Sequence, residues 1–178
     1  MVDQNLIDNC IRRDRRAQNE LYQLCYRKFI SVCWRYSNSK EDAVELMNNG
    51  FLKIVTQLEK YNTEVPFEAW ARKVIIHTII DEYRKSKQYK KHIALNVEMK
   101  DLPLVEEEET HDQERLEKIM SKLHLLPPVT LRVFNLYAID GYRHKEIAEL
   151  LQISEGTAMW HYSEAKKRIR LLLSETKA

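Results

Sequence analysis

Residues 67–91 read FEAWARKVIIHTIIDEYRKSKQYKK, and the fold turns on whether this stretch is helix or strand. Its middle, Val74 to Ile80, is apolar almost all round and rich in β-branched residues, a pattern that a short buried strand shares with a buried helix. Context favours helix. Pro66 stands just ahead of the run, where a proline suits a helix start, and no Gly or Pro follows until Pro103. Asp81 and Lys85 stand at i,i+4 spacing in the favourable order. The tail interleaves Tyr83, Arg84, Lys85, Lys87, Tyr89, Lys90 and Lys91, and the whole stretch carries seven Lys or Arg against three acids. A buried stem therefore ends in a tip with nucleic-acid-like chemistry. A core helix with a solvated basic end gives the same pattern, so the tip needs corroboration from the rest of the chain.

Composition narrows the fold. The chain has 178 residues, 44% hydrophobic and 31% charged, enough to bury a core in one domain or in two small ones. Only 3 Gly and 4 Pro leave little turn chemistry for hairpins, so an all-α protein is expected. The net charge of +2 is ordinary but unevenly spread: from Glu98 to Glu117 nine acids face only Lys100 and Arg115. Cys10, Cys25 and Cys33 have neither CxxC nor Cys/His ligand spacing, which points to buried reduced thiols and to no metal. MVDQNLIDNCIRRDRR lacks a signal-peptide core, and no apolar run reaches the length of a membrane span, so a cytoplasmic protein without membrane insertion is expected.

Taken in order, Leu6, Ile7, Cys10 and Ile11 form one helical stripe, and Leu21, Leu24, Cys25, Phe29, Val32, Cys33 and Tyr36 form a second after the break RRDRR. Ser39 and Asp42 have the spacing of a capping box and open a third helix, with Ala43, Leu46, Met47, Phe51, Ile54, Val55 and Leu58 on its inner face. Glu45, Asn48, Asn49 and Lys53 fall on the face left over. EKYNTEVP, residues 59–66, is the turn-rich break before the stem. Residues 93–115 lose all period, contain Pro103 and the acid run Glu106 to Glu109, and read as a linker. Helical spacing resumes at Leu116, stops at Pro127 and Pro128, and restarts with Leu131, Val133, Phe134 and Tyr137. In YRHKEIAELLQISEGTAMWHYSEAKKRIRLLL, a short helix from Arg143 to Leu151, a turn at Gln152 to Ser154 and a helix capped by Ser154 make a helix-turn-helix, with small Ala148 at the crossing and Ile153 beneath the turn.

The succession LYQLCYRKF, SKEDAVELMNNGFLKI, FEAWARKVIIHTIIDEYRK and LPPVTLRVFNLYAIDGYRHKEIAELLQISEGTA resembles an extracytoplasmic-function sigma factor of the sigma-70 family over nearly the whole chain, in wording closest to the Bacteroidetes-type branch. The resemblance implies two small helical domains, a region 2 bundle over 1–92 and a region 4 helix-turn-helix over 116–178, joined by the acidic linker 93–115. It implies an alternative sigma subunit that directs promoter recognition, DNA melting and initiation, with no catalysis and no cofactor of its own. Glu45, Leu46, Asn48, Asn49 and Phe51 would dock on core RNA polymerase, whose β and β′ subunits are the implied partners. Tyr61, Asn62, Trp70, Lys73, His77, Arg84, Lys85 and Lys87 would serve the minus-ten region of promoter DNA, with Trp70 equally readable as core. Arg143, His144, Lys145, Glu155, Thr157, Met159, Trp160, His161, Ser163, Lys166 and Lys167 would serve the minus-35 region.

Departures from the family pattern qualify the match. Glu45, Asn48 and Asn49 stand where an Asp and then a Gln-Glu pair are usual, His77 where Asn is usual, and Gln152 where Gly is usual. After GTA the family commonly places cations, whereas this chain has Met159, Trp160, His161 and Glu164. Weak or unusual minus-35 readout, offset by an auxiliary recruiting protein, is therefore expected, together with the anti-sigma factor that family members commonly have. The rival reading is a helix-turn-helix regulator that acts without polymerase. An enzyme is disfavoured because no phosphate loop, ligand spacing or nucleophile with a partner occurs in the sequence.

Overall fold

The structure, a computed structural model, describes residues 2–37, 39–92 and 123–174, without the side chains of 87–92 and 173–174. Every regular element among the described residues is helical. The chain divides into two compact units, Met1–Glu98 and Met99–Ala178. The linker expected at 93–115 and the helix start expected at Leu116 lie outside the described residues.

In the first unit α1 spans Gln4–Ile11 and α2 spans Arg15–Trp34. The charged break between them is a compact cap exchange. Arg13 takes the left-handed conformation at φ 64°, and Asp14 then accepts from the N–H groups of Arg16 and Ala17 at 2.8 and 2.9 Å. Helix α3 spans Lys40–Gln57, and Ser39 caps it by accepting from Asp42 N at 3.1 Å. A 3-10 turn, Leu58–Lys60, leads through the loop to α4, Phe67–His92.

The apolar stretch of the stem is helical, and all four of its isoleucines are buried: Ile75, Ile76, Ile79 and Ile80. Each contributes about 1.5–3 kcal/mol by leaving water. Thr78 sits among them because its hydroxyl donates to the carbonyl of Val74 at 2.8 Å, which satisfies a polar group without a tertiary partner. The facing surface of α3 is Ala43, Met47, Gly50 and Ile54, all buried, while Leu46, Phe51 and Val55 are half-buried. Gly50 carries no apolar side chain and so has no place in a hydrophobic stripe, yet a Cβ there would lie 2.9 Å from Ile75 Cγ1. The bare backbone lets α3 and α4 approach. Cys10, Cys25 and Cys33 are buried free thiols, and burial pushes Cys25 and Cys33 up to about 12 and Cys10 up to about 11.

The expected pairing of Asp81 with Lys85 is replaced by two i,i+3 pairs: Lys85 meets Glu82 at 2.8 Å and Arg84 meets Asp81 at 3.5 Å. Both spacings put the groups on neighbouring positions of one helix surface, and the shorter one wins at each.

In the second unit α5 spans Pro128–Phe134, α6 spans His144–Leu151 and α7 spans Glu155–Ser174. Proline opens α5, as a residue with no N–H to leave unsatisfied can. The helical spacing expected to run through Tyr137 widens instead into a π-helical turn, Asn135–Ile139, closed by Asp140 N donating to Asn135 O at 2.9 Å. Leu123, Leu126, Leu131 and Ala165 form a core with Phe134 and Ile169 packed against it, and Ile147, Ala148, Leu151 and Ala158 are buried where α6 and α7 meet.

Candidate promoter and polymerase interface

Three surfaces carry the chemistry. On α3, Glu45, Asn48 and Leu52 follow i, i+3, i+7 spacing and are all exposed. Leu52, at 63% exposure, is an unsupported apolar side chain that sequence reasoning passed over, because its position falls between the buried stripe and the polar one. Asn48 accepts from the Tyr22 hydroxyl at 2.8 Å, and Phe51 meets the Tyr22 ring edge-on at 5.1 Å, so α2 braces the flank of this face. Leu46 and Asn49 are half-buried.

The second surface lies where the loop after α3 meets the first turns of α4. Tyr61, Phe67 and Trp70 form one aromatic cluster, with Tyr61 4.9 Å from Trp70 and 5.7 Å from Phe67. Asn62 closes a tight turn by accepting from Glu64 N at 3.0 Å, and Tyr61 donates to Val65 O at 2.5 Å, which shapes the loop. Trp70 is half-buried, and both readings of it hold: it packs on the cluster and also lines a groove of about 420 Å³ with Lys53, Lys73, His77, Thr78 and Asp81. Burial pushes the His77 imidazole below its usual range, Lys73 adds to that, and Asp81 opposes it. A neutral imidazole and two lysines beside an aromatic face suit phosphates and a base out of its stack. Arg84 and Lys85 lie further along α4 in their ion pairs, and the side chain of Lys87 falls outside the described residues.

The third surface is the helix-turn-helix. Gln152 takes the left-handed conformation, φ 54° and ψ 50°, at the position where the sequence lacks the usual glycine. The N–H of Ile153 donates to Ala148 O at 3.0 Å and that of Gln152 to Glu149 O at 3.4 Å, which completes a Schellman ending of α6. Ser154 caps α7, accepting from Thr157 N at 3.0 Å, and Arg143 N donates to the Glu146 carboxylate at 2.7 Å at the start of α6.

Two site residues expected at DNA are also held inside the unit. His144 stacks on Tyr137 at 4.2 Å and 10°, with Tyr162 behind, and His161 Nδ1 lies 3.0 Å from the hydroxyl of buried Thr130. Lys166 stands over the Tyr162 ring at 4.7 Å. Arg143, Lys145, Glu155, Met159, Trp160, Ser163 and Lys167 are exposed, and Thr157 is half-buried. Among the described residues no group of His, Cys, Asp and Glu converges as a metal site, and no helix is long and apolar enough to cross a membrane.

Residues 21–89 match sigma-70 region 2, and residues 116–169 match sigma-70 region 4. The chain belongs to the sigma-70 family. The first match holds the α3 face and the aromatic groove, and the second holds the helix-turn-helix, so each candidate surface falls inside a sigma region. The ECF RNA polymerase sigma-E factor of Haemophilus influenzae is 22% identical over 95% of this sigma factor and 94% of that protein. In fold, this sigma factor is similar to the sigma factor RpoE of Bartonella quintana, solved with the anti-sigma factor NepR, at a TM-score of 0.57 and 15% identity over 88% and 96% of the two chains. CnrH, solved with the cytosolic domain of CnrY, is similar at a TM-score of 0.52 and 18% identity over 97% of each chain. This is an extracytoplasmic-function sigma factor of two regions, an initiation subunit for promoter recognition.

Proposed function

We propose that this sigma factor divides its work among the three surfaces. The α3 face, Glu45, Leu46, Asn48, Asn49 and Phe51 with Leu52 added, docks on core RNA polymerase. The loop with Tyr61 and Asn62, and the stem with Trp70, Lys73 and His77 at the groove and Arg84, Lys85 and Lys87 beyond it, bind and open the minus-ten region. The helix-turn-helix contacts the minus-35 region. The observation that carries this reading is the aromatic and cationic groove beside Tyr61 and Trp70, inside region 2 and ahead of a helix-turn-helix in the same chain. Base stacking on an aromatic face contributes about 1–3 kcal/mol per base, which offsets part of the cost of taking a base out of the duplex.

The domain limits 1–92 and 116–178, with an acidic tether between them, belong to this reading. So do the Bacteroidetes-type branch, supported by the wording of FEAW, IIDEYRK and ISEGT, and a site of action in the cytoplasm. An anti-sigma factor is a partner of the same reading, supported by the similar sigma factor RpoE, which was solved with the anti-sigma factor NepR. A recruiting protein would help where groove-facing cations are few.

The test is a pull-down and run-off transcription with core RNA polymerase from a related bacterium on a library of promoter fragments. Retention on polymerase and start-site-specific transcripts that depend on the chain are expected. DNA binding without polymerase retention would instead make it a helix-turn-helix regulator.

A further inference from the structure

The outward face of α7 changes character along its length. Gly156, Met159, Trp160 and Ser163 share it at i, i+3, i+4 and i+7, and Lys166, Lys167 and Arg170 continue it. Met159 is 54% exposed and Trp160 59%, although both are large and apolar. Trp160 is also held in place: its ring meets the His161 imidazole edge-on at 4.9 Å, and His161 is tied to buried Thr130 at 3.0 Å. An exposed indole with a braced ring has already lost much of the rotamer freedom that a contact would cost it.

In a helix-turn-helix the first turns of the second helix meet base edges, and the later ones meet the backbone. Met159 and Trp160 occupy those first turns, where Arg and Lys would read guanine by paired hydrogen bonds. A thioether and an indole ring cannot do that. The apolar feature that the major groove offers is the C5 methyl group of thymine. The cations that follow on the same face match phosphates, which favours DNA over a protein as the occupant. Two apolar side chains are also far short of the roughly 1,000 Å² that a stable protein interface covers.

We propose that Met159 and Trp160 read thymine methyl groups in the upstream promoter element, so that sequence is selected there by apolar contact; this rests on the sigma-subunit reading above. Lys166, Lys167 and Arg170 then supply affinity without sequence.

Holoenzyme assembled from the full chain and core polymerase is used to select duplexes from a randomised library. In the preferred duplex each upstream thymine is then replaced by deoxyuridine, which removes only the methyl group. Replacement at a contacted position is expected to weaken binding by about four-fold per methyl. Trp160→Ala and Met159→Ala are expected to bring the thymine-to-uracil ratio toward one with unchanged thermal melting, since both side chains are exposed. Lys167→Ala is expected to weaken both duplexes equally. A holoenzyme that initiates but binds thymine and uracil duplexes alike overturns the inference and leaves the sigma reading standing. Loss of initiation in Trp160→Ala that is equal on both duplexes and appears only with a second protein present overturns it in favour of a protein contact. A chain that forms no initiating holoenzyme overturns the sigma reading, and the inference with it.

Discussion

Gln152 holds a left-handed backbone at φ 54°, where a side chain costs about 1–2 kcal/mol relative to the right-handed region. The turn between α6 and α7 tolerates it because the Schellman bonds to Ala148 and Glu149 over-determine the backbone. Gln152→Gly is expected to raise the stability of the second unit by about 0.5 kcal/mol, the strain relief exceeding the added chain entropy, and Gln152→Val to lower it by about 1–2 kcal/mol. Thermal melting of the two variants checks the order. His77 and His124 give a second expectation at this scale. Burial is the first cause of the downward shift of both imidazoles from 6.5. The unfolded chain therefore binds protons more readily than the folded one, and stability is lost as pH falls from about 6.5 toward the folded-state values. Denaturant melts at about pH 7 and pH 5 should show this loss, reduced in a His77→Asn, His124→Asn double variant.

Two neighbours on α3 lie on opposite sides of one helix, one in the packing and one on the face proposed to dock on polymerase. Gly50 lets α4 approach, with Ile75 Cγ1 at 2.9 Å from where a Cβ would stand, while Leu52 projects outward at 63% exposure. Gly50→Leu is expected to cost at least about 2 kcal/mol, because buried Ile75 has little room to yield and overpacking outweighs the gain in helix propensity. Leu52→Glu should leave melting unchanged within about 0.5 kcal/mol and reduce retention on core polymerase by at least about ten-fold. Equilibrium unfolding and a polymerase pull-down of the same two variants separate the roles. The α3 stripe was legible in the sequence except at these two positions. Glycine has no hydrophobic signal, and Leu52 falls between the apolar stripe and the polar one, so spacing assigns it to neither. The same holds for α4: its isoleucines were legible as buried, but Lys85 pairs with Glu82 and not with Asp81, a choice of rotamer and not of spacing.

For the whole chain, the proposed division of work puts the cations that would meet promoter phosphates on separate units: Lys53 and Lys73 at the region 2 groove, and Lys166, Lys167 and Arg170 on α7. Each phosphate contact adds about 0.9 to the slope of log affinity against log salt. Lys73→Ala and Lys167→Ala are each expected to flatten that slope by about one, in holoenzyme titrations on a duplex promoter. Their effects should add, because distant sites without shared partners do. If only one of the two changes the slope, the other lysine has no phosphate contact.

The sequence by itself determined the helical class, the helix-turn-helix with its cap at Ser154, the buried stem and the order of the sigma regions. These depend on local chemistry: period, capping spacing and proline position act within a few residues along the chain. What the tertiary structure alone decided concerns side chains whose neighbours come from other elements. Trp70 both packs and lines a groove because Tyr61 and Lys53 come to it from the preceding loop and helix. His144 and His161 are drawn against Tyr137 and Thr130 because the π-helical turn and α5 bring those partners within reach. Met159 and Trp160 stay exposed because Ala158 and Ala165 take the buried face of their helix. Spacing assigns a residue to a face of its helix, and only packing decides what that face meets.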